Sequence, residues 1–332
     1  MSSLLPRLRS GVARAAERLR SDLGTRNGRL LTAGFVAALL APLLLTTYGV
    51  EVLTQLLIVV LVVGSWIFIA GYFGIFTFAH AALYGVGAYA AVILAGELGA
   101  PPVVTIAAGG VAAALFSLPI AYPVLRLSGA YVAMVTLAYA EIIHFAAIHF
   151  RDLTGGPTGY TGFPMLFDGN RLALYYFVFA TVFALTLVMY GLLVNRFGLV
   201  ARAIRESSDA AQMLGNDVPR YKLAGFIVGS SIAGVAGAMQ AYTILIMSPP
   251  VMELNQMIEF MAMGIIGGLR TLSGGVFGAI VVYGLSELLR GVGQLRLVIW
   301  GFLLIVIILY FPDGLAESSV DLRERLSRLF DR

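Results

Sequence analysis

Residues 202–222 read RAIRESSDAAQMLGNDVPRYK and concentrate charge in a chain that carries little of it. Four basic and three acidic side chains fall in this stretch, whereas the sequence on both sides is almost purely apolar. Of all 332 residues, 59% are hydrophobic and 12% are charged, against about 45–50% and 25% in a soluble domain. The sequence therefore predicts an integral membrane protein whose charged stretch lies outside the bilayer.

The apolar sequence divides into ten runs that are candidates for membrane spans, since a helix needs about 20 apolar residues to cross a bilayer. The run at 256–269 is short for a full crossing and is compatible with a re-entrant segment. The predicted fold is an all-α polytopic membrane protein with about ten transmembrane helices, one of them short enough to be re-entrant, and a further helix in the charged stretch. The ten predicted spans are residues 30–48, 52–70, 74–95, 103–125, 129–149, 172–195, 223–246, 256–269, 276–289 and 297–312.

The distribution of basic residues orients these spans. With the N-terminus inside, eighteen Lys and Arg residues fall in predicted cytoplasmic segments and four in external ones, as the positive-inside rule requires. The predicted divisions are a cytoplasmic basic segment (1–29), a transmembrane domain (30–312) and a cytoplasmic tail (313–332). Residues 1–29 carry seven arginines with apolar residues at helical spacing, which is compatible with an amphipathic surface helix and with a disordered basic tail.

We call the cytoplasmic loop at 196–222 the charged segment. Its alanines favour a helix, and Gly215 is predicted to end that helix in a left-handed conformation. A continuous helix would be small and apolar on one face and charged on the other, which suits docking in a groove of a soluble partner. A solvated loop helix without a partner is an equally good interpretation. The apolar face holds Ala203, Ile204, Ala210, Ala211 and Leu214, and the charged face holds Arg202, Arg205, Glu206 and Asp209.

Within this segment DAAQMLG (209–215) resembles the acidic-Ala-Ala-three-Gly loop of ABC-importer permeases. Four stretches in order over residues 76–315, one of which contains this loop, resemble the LivM-type permease of branched-chain amino acid importers. Residues 1–29 do not contribute to the resemblance. One departure is Asp209, where many permeases have Glu; the charge is kept. The stretches are FTFAHAALYGVGAYAAVILA (76–95), LTGGPTGYTGFP (153–164), RAIRESSDAAQMLGNDVPRYKLAGF (202–226), and GIIGGLRTLSGGVFGA (264–279) followed by ILYFPDGL (308–315).

The resemblance implies a role and a set of partners. The charged segment would be the coupling loop that inserts into an ATPase subunit. The chain would pair with a second, H-type permease in a bacterial inner membrane, with both termini cytoplasmic, above two ATP-binding subunits. A periplasmic or lipid-tethered binding protein would dock on the external loop. The residues implied for ATPase coupling are Ala203, Ile204, Arg205, Glu206, Asp209, Ala210, Ala211, Leu214 and Gly215, and those implied for docking are Thr154, Gly155, Gly156, Thr158, Gly159 and Tyr160.

The chain itself lacks a motif for ATP hydrolysis. It has no Gly-rich loop that ends in Gly-Lys-Ser/Thr, and its only lysine is Lys222, so it cannot form a P-loop. No cofactor is expected in this chain, and ATP and Mg²⁺ are expected on partner subunits. No nucleic-acid partner is expected, because the arginines follow the membrane topology. The substrate stays open among branched-chain amino acids, other amino acids, urea and short amides.

Four ionisable side chains, His80, Glu141, His144 and Glu259, are predicted at or near membrane depth. Such groups are costly in lipid and face the bundle interior or a wet path, so they are candidates for the translocation path. Glu141 and His144 lie three residues apart, which is equally compatible with a structural hydrogen-bonded pair. A metal site is not predicted, because the Glu-x-x-His pattern of a di-iron bundle occurs only once. The same groups keep open the alternative of a stand-alone secondary transporter or channel for a small polar solute.

A row of small residues follows the charged segment. Gly225, Gly229, Ala233 and Gly237 recur every four residues, and small residues at this spacing let helix backbones touch within a membrane. The sequence therefore predicts a tightly packed helix here.

Overall fold

The computed structural model describes residues 34–289 and 301–302, and all its extended regular elements are helices. Only one isolated antiparallel bridge, between Tyr160 and Met247, occurs within these ranges. The helices of six or more residues are α1 (Gly34–Leu43), α2 (Thr47–Phe73), α3 (His80–Leu98), α4 (Pro102–Val124), α5 (Ala130–His149), α6 (Arg171–Val194), α7 (Arg196–Glu206), α8 (Ser208–Met213), α9 (Val218–Ile244), α10 (Leu254–Gly267) and α11 (Leu272–Leu288).

Six of these helices, α2 to α6 and α9, are long and apolar enough to cross a membrane, and α10 with α11 forms one bent pair. The described residues thus support six or seven candidate spans, where the sequence predicts about ten. Part of the difference lies at the chain ends. The first predicted span, 30–48, begins outside the described residues and retains only the short helix α1. The last, 297–312, lies outside them except for residues 301 and 302.

The two ends of the helix bundle carry different connections. The loop at 150–170 contacts the last turn of α3, where Tyr160 packs against Gly96. The charged segment contacts the end of α2, where Arg205 packs against Gly74, six residues before α3 begins at its opposite end. A helix of this length separates the two by about 28 Å. We call them the loop end and the segment end.

The bent pair explains why the run at 256–269 is short for a span. Met247 exchanges two backbone hydrogen bonds with Tyr160 at the loop end, at 2.7 and 3.0 Å. Leu269 lies at the segment end, because a Cβ on Gly71 would sit 1.9 Å from its carbonyl oxygen. The chain therefore passes between the two ends over residues 247–269 with only 14 of them in α10. An irregular stretch that includes the 3-10 turn Pro249–Met252 supplies the remaining length.

Helix α11 then turns back by 117°. Its last turn reaches the beginning of α2, where the hydroxyl of Tyr48 donates to the carboxylate of Glu287. Because this contact joins the far end of α11 to the beginning of α2, α11 is directed back toward the loop end. The two helices form a bent pair whose first arm is preceded by irregular chain.

Helix α9 is the centre of the bundle and packs against α2, α3 and α4. Its glycines allow this, since a Cβ on Gly225 or Gly229 would meet the side chains of Phe73 or Ile69 at 2.4 or 2.5 Å. A Cβ on Gly237 would lie 1.9 Å from the carbonyl oxygen of Tyr84 in α3. The predicted close packing along this row is confirmed.

A six-residue break separates α2 from α3 inside the core. Gly74 ends α2 with φ of 70°, a conformation that glycine adopts without a steric cost. The indole N–H of Trp66 donates to the carbonyl of Thr77 at 3.1 Å, which ties the break back to α2. This satisfies a carbonyl of the buried Thr77 that would be costly to leave unpaired.

Candidate functional site

The charged segment consists of two helices rather than one. Ser207 separates α7 from α8 with φ of −158° and ψ of 111°, and its side chain accepts a hydrogen bond from the N–H of Ala210 at 3.2 Å. This is an N-cap, which satisfies an otherwise unpaired donor at the start of α8. Gly215 follows α8 with φ of 79°, so the predicted left-handed stop is confirmed.

One face of the segment packs against this chain itself. Val200, Ile204, Ala211 and Val218 form a small apolar cluster, in which Ile204 is 2% exposed and Ala211 is 1% exposed. Ile204 and Ala211 therefore pack against this chain itself, and the coupling role implied for them stays a prediction that their burial does not favour. Both side chains are used to hold the segment together, with Ala203 packed partly buried beside them.

The opposite face presents a different set of residues to solvent. Met213 is 88% exposed and Leu214 is 79% exposed at the end of α8. Asp209, Ala210 and Gly215 are also exposed. The outward position that coupling to a partner requires is thus found at Leu214, Asp209, Ala210 and Gly215. Met213 is exposed as well, although it is not among the residues predicted for coupling. Its exposure follows from the break at Ser207, which sequence periodicity does not register.

Arg205 joins the charged segment to the membrane-spanning core. Its Nη1 donates to the carbonyl oxygen of Gly71 in the last turn of α2 at 2.9 Å. Its Nε and Nη2 donate to one carboxylate oxygen of Glu206 at 3.2 and 2.6 Å. The hydrogen bond and charge of Arg205 hold the pKa of the exposed Glu206 carboxyl below its ordinary value, and Arg270 adds a smaller effect in the same direction.

The external-loop residues divide into buried anchors and exposed positions. Thr154 is buried and donates to the carbonyl of Ala147 at 2.6 Å, and Gly156 is buried beside it. Tyr160 pairs with Met247 and donates from its hydroxyl to Glu97 at 3.1 Å. Partial burial, followed by this bond and the charge of Glu97, raises the pKa of the Tyr160 phenol, so the group stays protonated as a donor.

Backbone conformation explains the glycines of this loop. Gly155 and Gly159 have φ of 75° and 82°, values that favour glycine. A Cβ on Gly159 would lie 2.5 Å from the carbonyl oxygen of Met247. Thr158 is exposed and donates to the carbonyl of Gly155 at 2.7 Å. Of the six residues predicted for docking, Thr158 is therefore the one with an exposed side chain.

The four path candidates lie on three different helices. His80 is fully buried at the start of α3, with its Nε2 2.8 Å from the hydroxyl of Ser65. The carboxylate of Glu141 lies 3.5 Å from Nδ1 of His144 on α5. Glu259 accepts from the side-chain amide of Gln256 on α10 at 3.4 Å. Within the part of the chain that the structure describes, no group of three His, Asp or Glu side chains could hold a metal ion.

A cavity of about 430 Å³ lies at the segment end. Its walls come from the α2–α3 break, the α4–α5 turn, α9 and α10, and its lining includes Phe76, Phe78, Lys222 and Met261 but none of the four path candidates. Sequence reasoning missed this cavity because its walls come from parts of the chain that are far apart in sequence.

A family of transport proteins matches residues 48–311 of this chain, under the description "Branched-chain amino acid transport system / permease component". The chain belongs to this permease family. As a member, it is a permease component of an ABC transport system of the branched-chain amino acid type, not a catalytic subunit. The match runs from the second residue of α2 past the end of α11 and includes the charged segment.

Similar curated proteins come from both permease types. The high-affinity branched-chain amino acid transport system permease protein LivM of Escherichia coli is 26% identical over 317 residues, which cover 87% of this chain and 75% of that protein. The corresponding LivH protein of the same organism is 24% identical, with 74% of this chain and 86% of that protein covered. A probable LivH permease from Methanocaldococcus jannaschii is 33% identical over 33% of this chain and 35% of its own length. No solved structure matches the chain.

Proposed function

We propose that this permease forms one half of the translocation path of an ATP-driven importer for branched-chain or related amino acids. The observation that carries the proposal is the two-sided charged segment. One face is fixed to the spans through Ile204, Ala211 and Arg205, whereas Met213 and Leu214 point away from the chain. Burying one apolar side chain of the size of Met or Leu contributes about 1.5–3 kcal/mol to association. Met213 and Leu214 together therefore suit an apolar groove on an ATPase subunit.

The energy source then lies on other chains. ATP and Mg²⁺ would bind to two partner ATPase subunits, since the sequence offers no P-loop and its single lysine, Lys222, lies in α9. Closure of those subunits on ATP would move the charged segment and change which side of the path is open. The chain itself would need no cofactor.

The second half of the path would come from a related permease of the H type. Similarity to both LivM and LivH proteins supports such a pairing. The surface available for it includes exposed apolar side chains on α4 and α5, among them Val111, Leu115, Tyr131, Met134 and Ile142. Lipid would cover the rest of the apolar surface.

A soluble binding protein would dock at the loop end. Pro157 and Thr158 are exposed at the tip of the loop, and the buried Thr154 and the bridge from Tyr160 to Met247 fix its base. Substrate affinity would reside largely in that binding protein. The path through this chain would then need to discriminate little between substrates. The candidates for its lining are His80, Glu141, His144 and Glu259.

The topology proposed for a bacterial inner membrane places residues 1–29, the charged segment and residues 313–332 in the cytoplasm. The natural chain has no cysteine, so single cysteines report position directly. Cysteines at Ser207 and Thr158 are expected to react with a membrane-impermeant maleimide from opposite sides of the membrane. Labelling of both from outside intact cells would contradict the proposed orientation.

The energy coupling gives a second prediction. The purified chain alone is expected to show no ATPase activity, because it has no P-loop. Uptake by the assembled transporter in vesicles is expected to persist with a proton uncoupler while ATP is present. Uptake driven by an ion gradient without ATP would instead favour the alternative of a stand-alone secondary transporter, in which the intramembrane carboxylates or histidines act as ion sites.

A further inference from the structure

Three elements meet at a single residue of α2, Gly71. The guanidinium of Arg205 binds its carbonyl oxygen from the charged segment at 2.9 Å. The backbone of the α10–α11 turn packs on the same residue, since a Cβ there would lie 1.9 Å from the carbonyl oxygen of Leu269. The helix end at Gly71 is thus held between the charged segment and the bent pair.

The contact with Arg205 is well suited to transmit force. Gly71 is in the last turn of α2, where carbonyl groups lack partners within the helix, and a cation is favourable at that helix end. A Cβ on Gly74 would lie 3.5 Å from Cα of Arg205, so the backbone of α7 also lies close to the helix end. The side chain of Arg205 is only 26% exposed, and Glu206 fixes the rest of its guanidinium.

The bent pair on the other side of Gly71 is equally tight. A Cβ on Gly267 would lie 1.8 Å from the carbonyl oxygen of Gly274, and one on Gly278 would lie 1.9 Å from that of Met263. The two arms therefore touch backbone to backbone near their turn. Interdigitated backbones of this kind move as one body rather than deform, so a shift of the turn at Leu269 is expected to carry both arms.

We propose that Arg205 is a positioning residue that transmits the movement of the charged segment, through the C-terminal turn of α2, to the α10–α11 pair. The inference rests on the proposed function, since it assumes that an ATPase moves this segment. It assigns Arg205 a role toward this chain's own core, in contrast to the outward-facing coupling role that the resemblance implies. Met213 and Leu214 would then contact the ATPase, and Arg205 would transmit the movement of the charged segment to the core.

The test separates assembly from coupling in the complete transporter reconstituted in liposomes. Arg205→Ala and Arg205→Lys are compared with Arg220→Ala, whose side chain lies on the same segment but is 86% exposed and pairs with Asp217. The probe is whichever of leucine, isoleucine and valine the wild type accumulates fastest. The expected result is normal copurification of the ATPase and continued ATP hydrolysis in both Arg205 variants. In both Arg205 variants the number of amino acids imported per ATP hydrolysed is expected to fall about tenfold or more. In Arg220→Ala this ratio is expected to change little.

A distance measurement gives an independent readout. Spin labels at Leu98 and Leu288, both exposed, report the position of α11 relative to α3. ATP with vanadate is expected to shift this distance in the wild type and not in Arg205→Ala. An unchanged import ratio, or the same ATP-induced shift in Arg205→Ala, would overturn the inference. Loss of ATPase copurification in both Arg205 variants would also overturn it, by placing the residue in docking or folding. A wild type that neither binds an ATPase nor imports with ATP would instead refute the proposed function.

Discussion

Leu214→Arg is expected to abolish copurification of the ATPase and ATP-dependent uptake, while leaving expression and membrane insertion of this chain normal. Leu214 is 79% exposed in the isolated chain, so a long charged side chain fits there without disturbing internal packing. In the assembled transporter the same charge would be buried without a partner, which costs several kcal/mol. At about 1.4 kcal/mol per tenfold, association is expected to weaken at least a hundredfold.

Two matched variants sharpen this prediction. Leu214→Met keeps an apolar side chain at the same position and is expected to assemble and transport normally. Ala211→Arg places the same charge on the buried face, beside Ile204, and is expected to destabilise the charged segment itself, detectable as faster proteolysis within 196–222 in the isolated chain. Normal assembly and uptake by Leu214→Arg would show that this face of α8 does not contact an ATPase.

Gly237→Val is expected to prevent the bundle from folding. Even a Cβ at this position would lie 1.9 Å from the carbonyl oxygen of Tyr84, and α3 can yield only by moving as a whole, since the contact is with its backbone. Overpacking of a well-packed core costs about 1–3 kcal/mol and occasionally more. The yield of monodisperse protein after detergent extraction, measured by size-exclusion chromatography, is expected to fall tenfold or more.

Gly191→Ala provides the control for this substitution. Gly191 lies in α6, and a Cβ there would have no atom within 4 Å, so the substitution removes a glycine without creating a clash. Alanine is also the stronger helix former. A yield near that of the wild type is expected. Folding of Gly237→Val at the level of this control would contradict the close approach of α9 and α3.

The close packing of α9 is predictable because it depends on local spacing. Gly225, Gly229 and Gly237 follow a four-residue period that lies within a single helix, so the sequence alone indicates which face touches neighbouring helices. The partners of that face are set by tertiary structure. The contacts with Phe73, Ile69 and Tyr84 come from distant parts of the chain that no local pattern identifies.

The charged segment shows where periodicity fails. A continuous helix over residues 202–214 would place Ile204, Ala211 and Leu214 on one apolar face. Ser207 adopts an extended conformation, which resets the helical phase, so Ile204 and Ala211 turn toward the chain while Leu214 and Met213 turn away. The sequence places Arg205 on the charged face. No local pattern identifies its acceptor, the carbonyl of Gly71, because that residue lies 134 residues away in sequence.

The passage before α10 could not be predicted from hydropathy either. Residues 245–253 include Pro249 and Pro250 and are largely irregular, so they carry no helical period. Their path through the bundle depends on the bridge between Tyr160 and Met247 and on the contact of Met252 with Gly85. Irregular backbone at membrane depth is tolerated only where protein or water surrounds it, and this condition is a property of the packed bundle.

Site-specific photo-crosslinking from the charged segment tests the central claim most directly. A photo-reactive amino acid is placed at Leu214 or at Thr158, both exposed but at opposite ends of the bundle, and the transporter is illuminated in membranes that support uptake. Leu214 is expected to crosslink to an ATP-binding subunit, and Thr158 is expected not to. Active uptake without a crosslink from Leu214, or a crosslink to that subunit from Thr158, would contradict the proposed coupling function.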